Sequence, residues 1–137
     1  MYIAVDFDGT CVTHEYPKVG QDIGAVPILK ELIKLGHKII LNTMRDSVEL
    51  QDAVTWFKVN GIELFGINSN PTQKRWTTSP KVYGHIYIDD AALGCPLMHR
   101  SDMGERAFVD WRGVANYLFA YGIFTKETAE KFQNIWD

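Results

Sequence analysis

Two cysteines in 137 residues are too few for a disulfide framework and allow one disulfide at most. Cys11 and Cys95 lie far apart in the chain and read as free thiols of a reducing compartment, so a cytoplasmic location is expected. Positive charge is not in excess either. The net charge of −3 supplies no basic field to draw the chain to nucleic acid or an anionic membrane. No basic stripe supports a nucleic-acid substrate, although the ends of nucleic acids are not ruled out by charge alone. No apolar run approaches the ~20 residues that cross a bilayer. The apolar start stops at Asp6 after about five residues, too short for the core of a signal peptide. Repeats and low-complexity tracts are absent.

What is present is the ordinary mixture of a soluble domain. A chain of this length forms one domain and buries roughly two-thirds of the surface it exposes when unfolded. "YIAVDF" reads as a short buried strand ending where Gly9 permits a tight turn. Residues 11–24 read as a loop punctuated by Pro17, Gly20 and Gly24. "PILKELIKLG" reads as a helix, with Pro27 in its first turn and Gly36 at its stop. Its stripe is Ile28, Leu29, Leu32 and Ile33.

The strand "KIILNT" follows, and then a helix that Asp46 and Glu49 are placed to cap as a box. That helix carries Leu50, Ala53, Val54 and Phe57 on one side and stops at Gly61. "IELFGI" and "HIYID" read as two further strands, separated by a polar loop over residues 68–80. Near-continuous apolar strands alternating with helices predict an α/β fold. Its sheet is parallel and open, in a three-layer arrangement with both faces covered. Residues 95–108 read as a loop. Asp110 is placed to cap a helix with Val114, Leu118 and Tyr121 on its inner side, and Thr125 a last short helix ending near Trp136. The segment 96–137 is therefore expected to pack on or beside the core.

In such a sheet, ligands bind outside the carboxyl ends of the strands. Asp6 and Asp8 end the first strand, Thr43 the second, and Asp89 and Asp90 the fourth. Two unit charges 5 Å apart cost about 3 kcal/mol at an effective dielectric of 20, so clustered carboxylates need relief. Protonation would supply it. A hard divalent cation with oxygen ligands would do so more simply, and the donor set suits Mg²⁺.

Together these residues resemble the haloacid dehalogenase-like (HAD) phosphohydrolase superfamily. Asp6-Phe7-Asp8-Gly9-Thr10 matches its first motif, "IILNT" ending in Thr43 its second, and "IYIDD" its acidic fourth. The matches run from residue 1 to about residue 95 in the family's order. The resemblance implies a single HAD-like Rossmannoid hydrolase domain. It implies that Asp6 is the nucleophile and forms an aspartyl-phosphate, with Asp8 carrying protons. It implies Mg²⁺ held by Asp6, Asp8 through its backbone carbonyl, and Asp89, with Asp90 assisting. Thr43 would bond a phosphate oxygen, and Phe7, Gly9 and Thr10 would belong to the substrate-binding turn. A lysine would complete the charge stabilisation. Lys81 suits it better than Lys74, because its lead-in to the strand is shorter.

Arg45 follows Thr43 closely and either holds substrate or forms a salt bridge at the helix start. His14 reads as a surface residue, although its loop borders the pocket. The intervals on either side of Thr43 hold no room for a cap domain, so a capless member is expected. Its substrate is a phosphorylated small molecule or macromolecule, and a homo-oligomer remains open. Two alternatives are a receiver-like signalling module and a HAD-like protein that binds phosphate without turnover. A receiver places its acidic pair early and its phosphorylated Asp near mid-chain, which "ELFGIN" does not supply. Dehalogenase chemistry would have no use for Asp8.

Overall fold

The computed structural model describes residues 1–137. Four parallel strands form the main sheet: β1 (Tyr2–Val5), β2 (Lys38–Leu41), β3 (Leu64–Ile67) and β4 (Ile86–Ile88). Their order is β3-β2-β1-β4. The helices are α1 (Ala25–Lys34), α2 (Ser47–Val59), α3 (Trp111–Ala120) and α4 (Lys126–Lys131). Four strands alternating with helices therefore form the α/β fold that the apolar pattern predicts. No helix is long and apolar enough to cross a membrane.

Register fixes what the strand ends can do. Val5 of β1 pairs with Leu41 of β2 and with Ile88 of β4. The residues that follow, Asp6, Asn42 and Asp89, therefore leave the sheet at one edge on adjacent strands, whose usual spacing is about 4.8 Å.

Alternation along the strands sorts side chains onto two faces. Ile3, Val5, Ile39 and Leu41 join the larger core cluster, together with Ile28, Leu29 and Leu32 of α1 and Ala53 and Phe57 of α2. Trp111, Val114, Ala115 and Leu118 of α3 join the same cluster. On the other face Ala4 and Ile40 are buried with Val82, flanked by Tyr2 and Phe65. The sequence pattern anticipated helices over both faces, but no helical residue belongs to this second cluster. The chain before β4 covers it instead: Tyr2 stacks on Phe65 and His85, and Tyr83 packs edge-on against Tyr2. An apolar strand demands cover, and aromatic side chains on a loop meet that demand as well as a helix.

Three local expectations are corrected. Residues 95–108 are not simply a loop, because β5 (Leu97–Met98) pairs antiparallel with β6 (Phe108–Val109). The Val109 N–H then donates to the Gly9 carbonyl at 2.9 Å, tying this hairpin-like segment to the end of β1. Tyr121 is exposed, because α3 stops at Ala120 and its buried side is completed by Trp111 and Ala115. Asp46 makes no capping bond, since Ser47 takes a left-handed conformation (φ 52°) that breaks regular cap geometry. By contrast, Asp110 accepts from the Arg112 N–H and Thr125 from the Thr128 N–H, as their positions predict. Both cysteines are free thiols.

Candidate functional site

The site starts from the turn that ends β1. Gly9 sits at φ 78°, the left-handed region that glycine tolerates. The Thr10 and Cys11 amides both donate to the Phe7 carbonyl, at 3.1 and 2.8 Å. This tight turn points Asp6 and Asp8 out of the sheet edge while Phe7 goes inward. The Phe7 ring is fully buried, 5.6 Å from Trp56 and 5.9 Å from Phe57 between ring centres. Phe7 can therefore offer a substrate only its main chain.

Asp6, Asp89 and Asp90 each present a carboxylate oxygen within 4.8 Å of the other two. All three are half-buried. Thr10 joins them. Its hydroxyl donates to Asp6 Oδ2 at 2.9 Å and accepts from the Asp90 N–H at 3.0 Å, with Asp90 Oδ1 3.3 Å away. Thr10 is fully buried, so it orients carboxylates and does not reach substrate, a correction to its expected role. The Thr10 carbonyl in turn accepts from the buried Trp111 indole at 2.7 Å. Asp89 Oδ1 accepts from the Ala91 N–H at 2.8 Å.

Burial and the neighbouring Asp89 charge push the Asp6 carboxyl up to about 7, although the Thr10 hydroxyl pulls the other way. Burial is the larger cause, and the Asp89 charge adds the repulsion expected of converging acids. The Cys11 thiol, which donates to the Asp6 carbonyl at 3.3 Å, is pushed well up by burial and takes no part.

Asp8 is not part of that group and has a different partner. Arg45 grips it in a fork, Nε to Oδ2 at 2.8 Å and a terminal nitrogen to Oδ1 at 2.7 Å. The remaining guanidinium donors go to the carbonyls of Pro17, Lys18 and Glu49. The guanidinium also lies 5.0 Å from the Phe7 ring centre and 5.2 Å from that of Tyr16. Arg45 is buried, so it forms the ion pair of its two expected roles, but inside the protein and with every donor occupied. No donor is left over for a substrate while this arrangement holds.

Thr43 is half-buried at the same edge. Its N–H donates to Asn68 Oδ1 at 2.8 Å, and its hydroxyl accepts from the Arg45 N–H at 3.1 Å. Neither lysine candidate is brought to the carboxylates. The Lys81 ammonium lies 5.5 Å from the centre of the Tyr87 ring, and neither Lys81 nor Lys74 forms an ion pair. The side chain that does meet the acidic cluster is His14, with Nε2 at 2.9 Å from Asp90 Oδ2. The surface reading of His14 is thereby corrected. Its signal in the sequence was only its closeness to the first motif.

No family model matches the chain, and no curated protein does. A solved structure of a conserved protein from Bacteroides thetaiotaomicron is similar, with a TM-score of 0.70 at 32% sequence identity. The match covers 93% of this chain and 95% of that one. The chain belongs to the same family as this conserved Bacteroides protein.

Proposed function

We propose that the chain is a Mg²⁺-dependent phosphomonoester hydrolase of the HAD-like type, acting through an aspartyl-phosphate on Asp6. The observation that carries this reading is the convergence of Asp6, Asp89 and Asp90 at one sheet edge. Three hard oxygen donors with a nucleophile-type aspartate among them fit a small divalent cation and a phosphate. The finer architecture belongs to the same reading: an abbreviated member of the three-layer HAD-like Rossmannoid group, without a cap. Its support is that only a loop and α1 lie between β1 and β2, and only α2, β3 and a loop with one 3-10 turn (Gln73–Arg75) between β2 and β4.

Asp6, Asp89 and Asp90 would hold Mg²⁺, with the Asp8 carbonyl as the fourth protein donor. The ion would neutralise carboxylate and phosphoryl charge together. Asp6 forms a bond to phosphorus as the bond to the leaving oxygen breaks, and Asp8 gives that oxygen a proton. Water then attacks the phosphorus, Asp8 takes the water's proton, and the Asp6–phosphorus bond breaks. Thr43 orients a phosphate oxygen. Asp8 reaches these protons only after turning from Arg45, so the fork is a resting arrangement on this reading. Lys81 must also swing from Tyr87 to serve, and His14 already stands at the acidic end of the site.

A second reading is favoured by one specific observation. With Asp8 locked by a buried arginine and no lysine paired to the carboxylates, a phosphate-binding protein without turnover also fits. Release of phosphate from an aryl phosphate, with and without Mg²⁺, separates the two. Metal-dependent turnover that disappears in Asp6→Asn supports the hydrolase. Mg²⁺ binding without turnover supports the alternative.

A further inference from the structure

A sizeable cavity lies outside the carboxylate site. It is an open groove of about 650 Å³ between β4, the loop that follows Asp90, and α3. Its floor is apolar, with Ile86, Ile88, Val114 and Leu118 among its lining residues. Its rim carries apolar groups in water: Leu93 is fully exposed, Tyr121 65%, Tyr117 49% and Tyr87 41%. Tyr117 and Tyr121 stack, with ring centres 6.2 Å apart. Beside them β4 ends the sheet and has no strand on its outer side. An open sheet edge flanked by apolar rim and trough is a pairing surface unless something covers it.

We propose that this face is covered by a second copy of the chain. The copies are related by a two-fold axis and meet along β4, with Leu93 of each seated in the groove of the other. Three features select this occupant. Knob and trough lie in one patch, and a two-fold contact requires such self-complementarity. The unpaired edge of β4 offers backbone donors and acceptors that a second β4, running antiparallel, can satisfy. The area is also sufficient. At about 200 Å² for a whole aromatic side chain and slightly less for leucine, the four rim residues expose roughly 500 Å² per copy. Both copies together reach about 1,000 Å², the lower limit for a specific interface. An interface of this size belongs with weak, reversible associations. Because the loop through Leu93 begins directly after Asp89 and Asp90, the contact would abut the carboxylate site without using it.

Sedimentation of the chain from about 1 to 100 µM, a span over which weak self-association becomes visible, tests this. The expected result is a shift from one chain mass towards two as concentration rises. Leu93→Glu and Tyr121→Glu, each at an exposed position, should weaken association about tenfold or more per substitution while the circular dichroism melt is unchanged. Hydrogen exchange at residues 86–88 should slow with concentration in the wild type only. A wild type that stays monomeric at the highest concentration overturns the proposal, as a small apolar ligand in the groove would predict. Association that survives both substitutions overturns it too. Neither result depends on whether the chain hydrolyses phosphate.

Discussion

Arg45 holds Asp8 by two parallel hydrogen bonds of 2.8 and 2.7 Å, from a position buried beneath the 15–18 loop. Planar two-point contact of this kind is the strongest geometry for an arginine and a carboxylate. The pair spans the end of β1 and the entry to α2, and the carbonyls of Pro17 and Lys18 add the loop to it. The motif turn is thus anchored through Asp8 as well as through the Thr10 contacts to the acidic cluster.

Removing either partner strands the other. Asp8→Asn leaves a buried guanidinium without its counter-charge, and such losses typically cost about 3–5 kcal/mol. Urea denaturation of Asp8→Asn should show a loss in or near that range, and Arg45→Ala a comparable one. Arg45→Lys should recover little, because an ammonium cannot make the fork. If Asp8→Asn unfolds at the wild-type midpoint, the ion pair is not holding the turn.

The nucleophile prediction has two opposite signs. Asp6→Asn should abolish turnover, because an amide cannot form the acyl phosphate. The same substitution removes a carboxylate that burial and Asp89 disfavour. In metal-free solution at pH 8, its melting temperature should therefore equal or exceed that of the wild type. Thermal melts with and without Mg²⁺ read both effects, since the variant should also lose most of the wild-type gain from the metal.

Much of this site was legible beforehand, for a reason visible in Asp6 and Asp89. Apolar strands of four residues end at a definite place, and a parallel register aligns those ends. Polar residues at strand ends therefore gather without any knowledge of side-chain packing. Arg45 was harder, because a charged residue two positions past a strand ordinarily lies in water. Only the fold shows Phe7, Tyr16 and three carbonyls closing over it. The pairing of Leu97–Met98 with Phe108–Val109 was illegible, because two residues per strand carry no periodicity. The same limit hid the aromatic cover of Tyr2, Tyr83 and His85, since aromatic residues on a loop have no spacing that announces a sheet beneath them.

Gly9 tests how closely the cluster is built. A Cβ there would overlap the His14 imidazole and Asp90 Oδ2, on a backbone already at φ 78°. Gly9→Ala should cost more than ~1 kcal/mol, because strain at positive φ and overlap act together. Adding His14→Ala should return part of the loss, and the double-mutant cycle measures how much. Strict additivity of the two substitutions would mean that the imidazole does not press on this turn.

The last prediction follows from the raised Asp6 carboxyl. Its value is about 7 in the folded metal-free chain against 3.8 for an unperturbed aspartate. Between these values the folded chain keeps a proton that the unfolded chain has released. Folded stability must therefore fall as pH rises from about 4 to about 7, and level off above, by an amount of order 2–4 kcal/mol from this group. A cation that binds the ionised carboxylates reverses the trend. Mg²⁺ should raise the melting temperature strongly at pH 8 and little at pH 5, where protons compete for Asp6. Calorimetry at the two pH values, with Mg²⁺ and with a chelator, gives the four numbers required. An equal metal-induced shift at both pH values would mean that the cation is not bound at Asp6, and the assignment of the three aspartates to one ion would fail with it.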